Sequence, residues 1–235
     1  MRLILISFIS AITICAGAID GMAQIERFIP SHVRIGYDLG GMANTLLSDQ
    51  LDYHDFIIDT DINKFLLNVE YGNATFQAND LYVNYKSTGN YFRLGLDYNF
   101  MHDSKDFNAL FFGFRYAAST FDEEVQYPSQ NAIQMDTRWP VDTFNIGNNG
   151  VNAGWVEANL GLRVRVWNNF YMGMTVRYKI KPWVNKSSDG TLAPFYVPGF
   201  GKDLNSDRWN LAYFIAYRIP FRKKKVYEED ISNKE

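Results

Sequence analysis

The chain has 235 residues, of which 47% are hydrophobic and 16% aromatic, with only seven prolines and a formal net charge of −3. This composition excludes a disordered chain, and an isoelectric point near 5.7 excludes the basic surface that a nucleic-acid partner requires. The mean hydropathy of −0.24 suits strands whose alternate residues are polar, which give a weak signal per segment.

Met1 and Arg2 precede the apolar run LILISFISAITICAGAI, and Gly21 and Ala23 are small residues placed for signal-peptidase cleavage. We expect a signal peptide over residues 1–23 and a mature chain beginning at Gln24, with Ala16-Gly17-Ala18 as a second site. The apolar run is short for a retained membrane anchor. Cys15 is the sole cysteine. Ile14 before it is not the small residue that lipid attachment favours, so the mature chain has no thiol for disulfides, catalysis or metal ligation.

Residues 24–31 form a lead ending at Pro30, after which apolar and polar residues alternate with period two. The first strand sets Val33, Ile35, Tyr37 and Leu39 against Arg34, Gly36, Asp38 and Gly40. Residues 41–54 read as a loop. The second sets Phe56, Ile58, Thr60 and Ile62 against Asp59 and Asp61, turns tightly at Asn63 and Lys64, and returns as a third with Phe65, Leu67, Val69 and Tyr71 opposite Leu66, Asn68, Glu70 and Gly72. Residues 77–90 read as another loop, through which Leu81, Val83 and Tyr85 could prolong the flanking strands. The fourth strand carries Phe92, Leu94, Leu96, Tyr98 and Phe100 against Arg93, Gly95, Asp97 and Asn99. After a polar turn at 102–107, the fifth has Leu110, Phe112, Phe114 and Tyr116 against Phe111, Gly113, Arg115 and Ala117.

Residues 122–150 read as the longest irregular segment. Strands six and seven are the clearest: Val156, Ala158, Leu160, Leu162, Val164 and Val166 alternate with Glu157, Asn159, Gly161, Arg163 and Arg165, and after Asn168-Asn169 the pattern resumes from Phe170 to Ile180. Residues 182–207, rich in proline and glycine, read as a second long loop. The last strand runs from Trp209 to Phe221, and residues 222–235 form a charged tail. These strands approach eleven residues, longer than the usual five or six and long enough to cross a bilayer at a slant.

Eight strands are thus joined alternately by four long connections and three tight turns, the asymmetry of an outer-membrane barrel with turns in the periplasm and loops outside. A soluble ligand-binding barrel would point its apolar face inward, and here that would fill the interior with Phe, Leu, Ile and Tyr. Phe65, Phe100, Phe170 and Phe221 fall at the turn ends and Phe92, Tyr178 and Trp209 at the loop ends, as two girdles. The expected fold is an all-β, eight-stranded antiparallel up-and-down transmembrane β-barrel of the outer-membrane type over residues 24–221.

The segments HVRIGYDLG, NYFRLGLDYNF, NALFFGFRYAASTFDE and WVEANLGLRVRVW, with the strand ending at Phe221, resemble a family of outer-membrane β-barrels from Bacteroidetes-type Gram-negative bacteria known as a domain of unknown function. The resemblance spans most of the mature chain and implies fold and location without a reaction. Ile219 and Phe221 fit the aromatic-terminated strand that barrel-assembly machinery recognises, while Pro220 and the tail depart from it.

The inward set contains Arg34, Asp38, Asp59, Asp61, Glu70, Arg93, Asp97, Arg115, Glu157, Arg163, Arg165, Arg177, Lys179 and Arg218. Acids dominate the first four strands and bases the last four, so we expect a salt-bridged plug, with a narrow ion or proton path as the alternative. No catalytic, metal or cofactor site is expected. His32 and His102 fall on the periplasmic side, and only His54, with Ser48 and Asp52 or Asp55, could form a rim triad. Asp122, Glu123, Glu124, Asp136 and Asp142 lack a calcium-loop spacing and read as a solvated acidic loop. Trp139, Phe144, Trp183, Phe195, Tyr196 and Phe200 are loop aromatics that suit contact with a partner. The expected role is structural or interactive, as an accessory subunit of an outer-membrane assembly, transport or secretion complex. The alternatives are a lipid-modifying or proteolytic enzyme, or a narrow channel. The expected partners are outer-membrane lipid, the barrel-assembly machinery and an outer-membrane protein.

Overall fold

The computed structural model describes residues 29–41, 50–80, 83–128, 143–185, 193–202 and 204–222. The expected signal peptide, Cys15, Ser48, Asp136, Trp139, Asp142 and the tail beyond Arg222 lie outside the described residues. Eight long strands form the wall: β1 (His32–Asp38), β2 (Leu51–Ile62), β3 (Phe65–Asn79), β4 (Asn84–Asn99), β5 (Ala109–Pro128), β6 (Thr143–Trp167), β7 (Phe170–Lys179) and, last in the chain, β11 (Arg208–Pro220). Each pairs antiparallel with its neighbour in sequence, and β1 pairs with β11 to close the ring. Three short strands lie between β7 and β11: β8 (Trp183–Asn185), which adds to β6 at Asn152–Gly154, and the ribbon of β9 (Tyr196–Val197) with β10 (Gly201–Lys202). The fold is therefore the expected closed up-and-down barrel.

Asn63 and Asn168 take left-handed φ values of 57° and 45°, the conformation a two-residue hairpin demands and one asparagine tolerates. Between such turns the parity of the strands is kept across the belt. Ile35, Ile58, Leu94, Leu96, Phe112, Phe114, Leu160, Leu162, Met172, Met174, Leu211 and Ile215 stand on the exposed outer face, and the charged positions between them are buried. An exterior of this kind is stable only against lipid. Aromatic pairs mark the belt's lower edge, with Phe65 on Tyr98 at 5.5 Å and Phe170 on Tyr217 at 4.9 Å. Tyr37 on Phe56 at 5.3 Å and Tyr178 on Trp209 at 4.8 Å mark the upper edge. On a tilted strand the stretch Phe92–Phe100 covers roughly 20 Å of height, close to the lipid-facing band of such barrels.

Two expected loops hold strand over most of their described residues. Residues 77–90 and 122–150 contain the upper parts of β3, β4, β5 and β6, which rise beyond the belt as a tall wall. Here the hydrophobic phase reverses while the parity of β3, β4 and β5 does not. Outward positions become Asn73, Thr75, Lys86, Thr88, Thr120, Asp122 and Glu124, and apolar residues move inward as Ala74, Phe76, Tyr85, Phe121, Val125, Val151 and Ala153. Above the membrane the outside is water, so the same pleat serves an inverted pattern.

Candidate functional site in the packed lumen and its inward loop

The lumen is filled in tiers. At the turn end Ser31 Oγ donates to Asp61 Oδ2 at 2.8 Å, and His32 Nδ1 lies 3.1 Å from the same carboxylate while its Nε2 meets the Arg34 guanidinium. Arg34 Nε donates to Asp59 Oδ1 at 2.6 Å, and Arg163 Nη1 takes the other oxygen of Asp59 at 2.9 Å. Phe107 seals this end. It holds φ of 55°, uncommon for a bulky residue, with its ring 5.2 Å from His32 and 3.9 Å beneath the Arg218 guanidinium.

Glu70 is the hub of the middle tier and is 1% exposed. It accepts from Arg93 at 2.9 Å, from Arg177 at 3.2 Å and from Arg115. Arg115 also reaches Asp97 at 2.9 Å. Arg93 continues the network upward to Asp55 at 3.1 Å and Glu157 at 3.2 Å, and Trp155 Nε1 donates to Glu157 at 2.7 Å. Five carboxylates and five guanidiniums thus neutralise one another across the barrel, which ions so far from water require. A cavity of about 10 Å³, room for about one water, lies among Asn68, Asp97, Arg115, Arg163 and Arg177.

The inward set was read from strand parity, and all of it is buried except two members. Arg165 is corrected: it stands opposite the inward Tyr171 but lies at the turn-end rim, where it is exposed and pairs with Asp106 of the neighbouring turn instead of joining the buried network. Arg218 is half-buried at the turn end, where Nη2 donates to Asn169 at 3.2 Å. Asp38 caps the Gly40 amide at 2.7 Å. Asp55 belongs to the lumen although the reading missed it. It shares the phase of Asp59 and Asp61, but the strand was begun at Phe56, whereas β2 starts at Leu51. Consequently Asp55 and His54 face opposite sides, and Ser48 lies outside the described residues. His54 lies on β2, where Nδ1 is 2.5 Å from Tyr37 Oη and Nε2 is 3.4 Å from Asp52. The described acids of residues 122–150 also alternate faces. Asp122 accepts from the Gly150 amide, while Glu123 points inward and accepts from Tyr85 Oη at 2.9 Å and Asn148 at 2.6 Å. Among the described residues no cluster of three or more His, Cys, Asp or Glu is placed to hold a metal.

The loop aromatics divide by placement. Phe144 and Phe195 are exposed, and Trp183 stacks on Tyr116 at 5.8 Å, joining the outer face at the upper girdle. Tyr196 and Phe200 are corrected: they are buried inside the barrel mouth, out of reach of a partner on the outer surface. The segment 193–202 turns down into the mouth because the inverted apolar face of the tall wall offers it a surface. Tyr196 stacks on Phe76 at 4.8 Å, Val197 is fully enclosed, and Phe200 meets Trp155 edge-on at 5.7 Å. Burial pushes the Tyr196 phenol well above its ordinary value. The main chain is held as well. The Tyr196 amide donates to Tyr85 Oη at 3.2 Å, the Tyr196 carbonyl accepts from Ser87 Oγ at 3.1 Å, and the Gly199 carbonyl accepts from Arg93 at 3.1 Å and Lys179 at 2.6 Å. Ile219 and Phe221 lie on the exposed face at the turn end, and the Phe221 amide donates to the Ser31 carbonyl at 3.2 Å.

CarO2 of Acinetobacter baumannii, known from a crystal structure, is similar in outline, with 13% identity over 82% of this chain and 99% of that one and a TM-score of 0.40. No property of that protein is carried over. No curated protein matches the sequence. A family model does match, over residues 2–224, and the chain belongs to the family described as Domain of unknown function (DUF6048).

Proposed function

We propose that this protein is a non-conducting outer-membrane barrel whose task is structural or interactive, an accessory subunit docked through the wall that rises above the lipid belt. The observation that carries this reading is the closure of the lumen. Phe107 stops the turn end, the Glu70 network fills the middle, and segment 193–202 fills the mouth. Among the described residues this packing supports an interior filled by side chains, the state expected of an eight-stranded barrel. The wall then is the part of the molecule that reaches beyond lipid, presenting Lys86, Thr88, Asp122, Glu124 and the exposed Phe144. In this reading the tall end is extracellular, both termini of the mature chain are periplasmic, and Ile219 with Phe221 serves the assembly machinery. We further propose that the chain is no enzyme, the Tyr37–His54 pair being part of the upper girdle.

Planar-bilayer recording tests this directly. The purified monomer is expected to give no steady single-channel current, and a reproducible conductance would put the channel reading first. For the docking role, Lys86→Glu with Phe144→Ala should lose a crosslinked partner retained by the unmutated barrel in mild detergent. An unchanged set of crosslinked partners would remove it.

A further inference from the structure

We infer that the barrel mouth is a binding site for the free carboxy terminus of an aromatic-bearing peptide, and that segment 193–202 occupies it as a resident ligand. This is independent of the docking role above, which concerns the outer wall.

The segment is held as a bound peptide is held. It pairs with no strand of the barrel, only with itself through β9 and β10. Its polar contacts run through its own backbone: the Tyr196 amide and carbonyl, the Gly199 carbonyl and the Phe200 carbonyl. Its rings fill two apolar recesses, one lined by Phe76 and Tyr85 and the other by Tyr91 and Trp155. Backbone bonds with side chains in alternate pockets are how a receptor reads an extended peptide.

The head group is identified by Lys179. This ammonium is 4% exposed, and its hydrogen bonds run to two neutral acceptors, the carbonyls of Gly199 at 2.6 Å and Phe200 at 3.3 Å. Glu157 stands opposite it on β6, but among the described residues no carboxylate comes within 4 Å of the ammonium, whereas the guanidiniums beneath it are paired with carboxylates. A carboxylate in place of those carbonyls would turn two neutral acceptors into a charge-assisted pair, with Arg93 Nη2 as second donor. A peptide ending in an aromatic residue would therefore set its ring against Trp155 and its terminal carboxylate on Lys179. Entry requires the resident segment to leave. Gly199 and Gly201, at φ of +82° and +120°, are where its backbone makes the turn that only glycine takes readily.

The test uses the peptide FYVPGF, the sequence of residues 195–200, made with a free carboxylate and as the amide. Calorimetry is run on the folded full chain and on a variant with residues 194–201 replaced by a Gly/Ser linker, folding of each being checked by gel mobility before and after boiling. The expected result is binding of the acid at least about tenfold tighter than the amide, stronger still in the linker variant. In the full chain, hydrogen exchange at the 196–202 amides should accelerate on peptide addition. Lys179→Met should abolish the acid preference and Lys179→Arg should keep it. Equal affinity for acid and amide, or no binding in either folded chain, would overturn the proposal and leave the segment a permanent plug. If Lys179→Met does not fold, the acid-to-amide ratio on the unmutated chain decides alone.

Discussion

Replacing Glu70 by glutamine probes the lumen network at its hub. The change keeps the shape and one oxygen acceptor but removes the charge that Arg93, Arg115 and Arg177 share. Those three are not left equally exposed to the loss. Arg93 retains Asp55 and Glu157, and Arg115 retains Asp97, whereas Arg177 has Glu70 as its one carboxylate partner among the described residues. The substitution therefore strands a single buried guanidinium, and breaking one buried pair costs about 3–5 kcal/mol. The lower end, about 3 kcal/mol, is expected because the amide oxygen remains. At typical slopes that lowers the urea midpoint by about 1–3 M for the barrel refolded in detergent micelles. Removing the stranded cation as well, in Glu70→Gln with Arg177→Met, should recover about 2 kcal/mol, since deleting a whole buried pair is nearly neutral. A single mutant within about 0.5 kcal/mol of the parent, or a double mutant no better than the single, would mean that lumen water already screens these charges and that the tier is not dry.

Leu162→Arg should impair membrane insertion more than Arg163→Leu. The first puts a charge in lipid at about 2–4 kcal/mol, whereas the second leaves Asp59 its Arg34 partner; the reverse order in a folding titration would swap inside and outside. Gly199→Ala forces a Cβ into a left-handed backbone and to 2.6 Å from the Tyr91 ring, so faster hydrogen exchange in 196–202 is expected with the barrel still heat-modifiable on gels. Unchanged exchange would show that the segment is not seated on Tyr91. Docking of that segment should also weaken in alkali. The Tyr196 phenol has a raised value when buried, so its contribution is complete below the ordinary tyrosine value near 10 and declines as pH climbs from there. Exchange that is insensitive to this rise, after correction for intrinsic rates, would contradict it.

Period-two alternation was enough to read the membrane-spanning part of the wall, because within the belt lipid demands apolar residues at every second position and the turns at Asn63 and Asn168 are written in the residues that allow them. The upper wall was read as loop for a physical reason. Search for an apolar outward phase fails where the outside is water, although Ala74, Phe76, Tyr85 and Phe121 keep the rhythm at the inward positions. Lumen charges followed from parity alone, yet their partners did not, since the pairing of Arg163 with Asp59 depends on the shear of a closed ring. Arg165 failed because parity does not tell how far a position lies from the end of the lumen, and this one reaches the turn-end rim and Asp106. Tyr196 and Phe200 failed because an aromatic in a long loop looks alike whether it faces water or folds back. What they fold onto is set by strands distant in sequence.

The ring is joined by one non-local seam. Every other neighbour is next in sequence, but β1 meets β11 across nearly the whole chain, from His32 paired with Pro220 to Asp38 paired with Phe214. Seven residues of β1 make that join, the least of any wall strand. Loop-closure entropy grows only slowly with length, so the seam adds little to the equilibrium cost of the barrel, while the search for it dominates the time needed to form. Until it closes, the sheet from β1 to β11 has two free edges, and Arg163 of β6 has not yet reached Asp59 of β2 across the lumen. The same short seam is then where thermal opening should start, with β1 peeling away before any of the hairpins that follow it come apart.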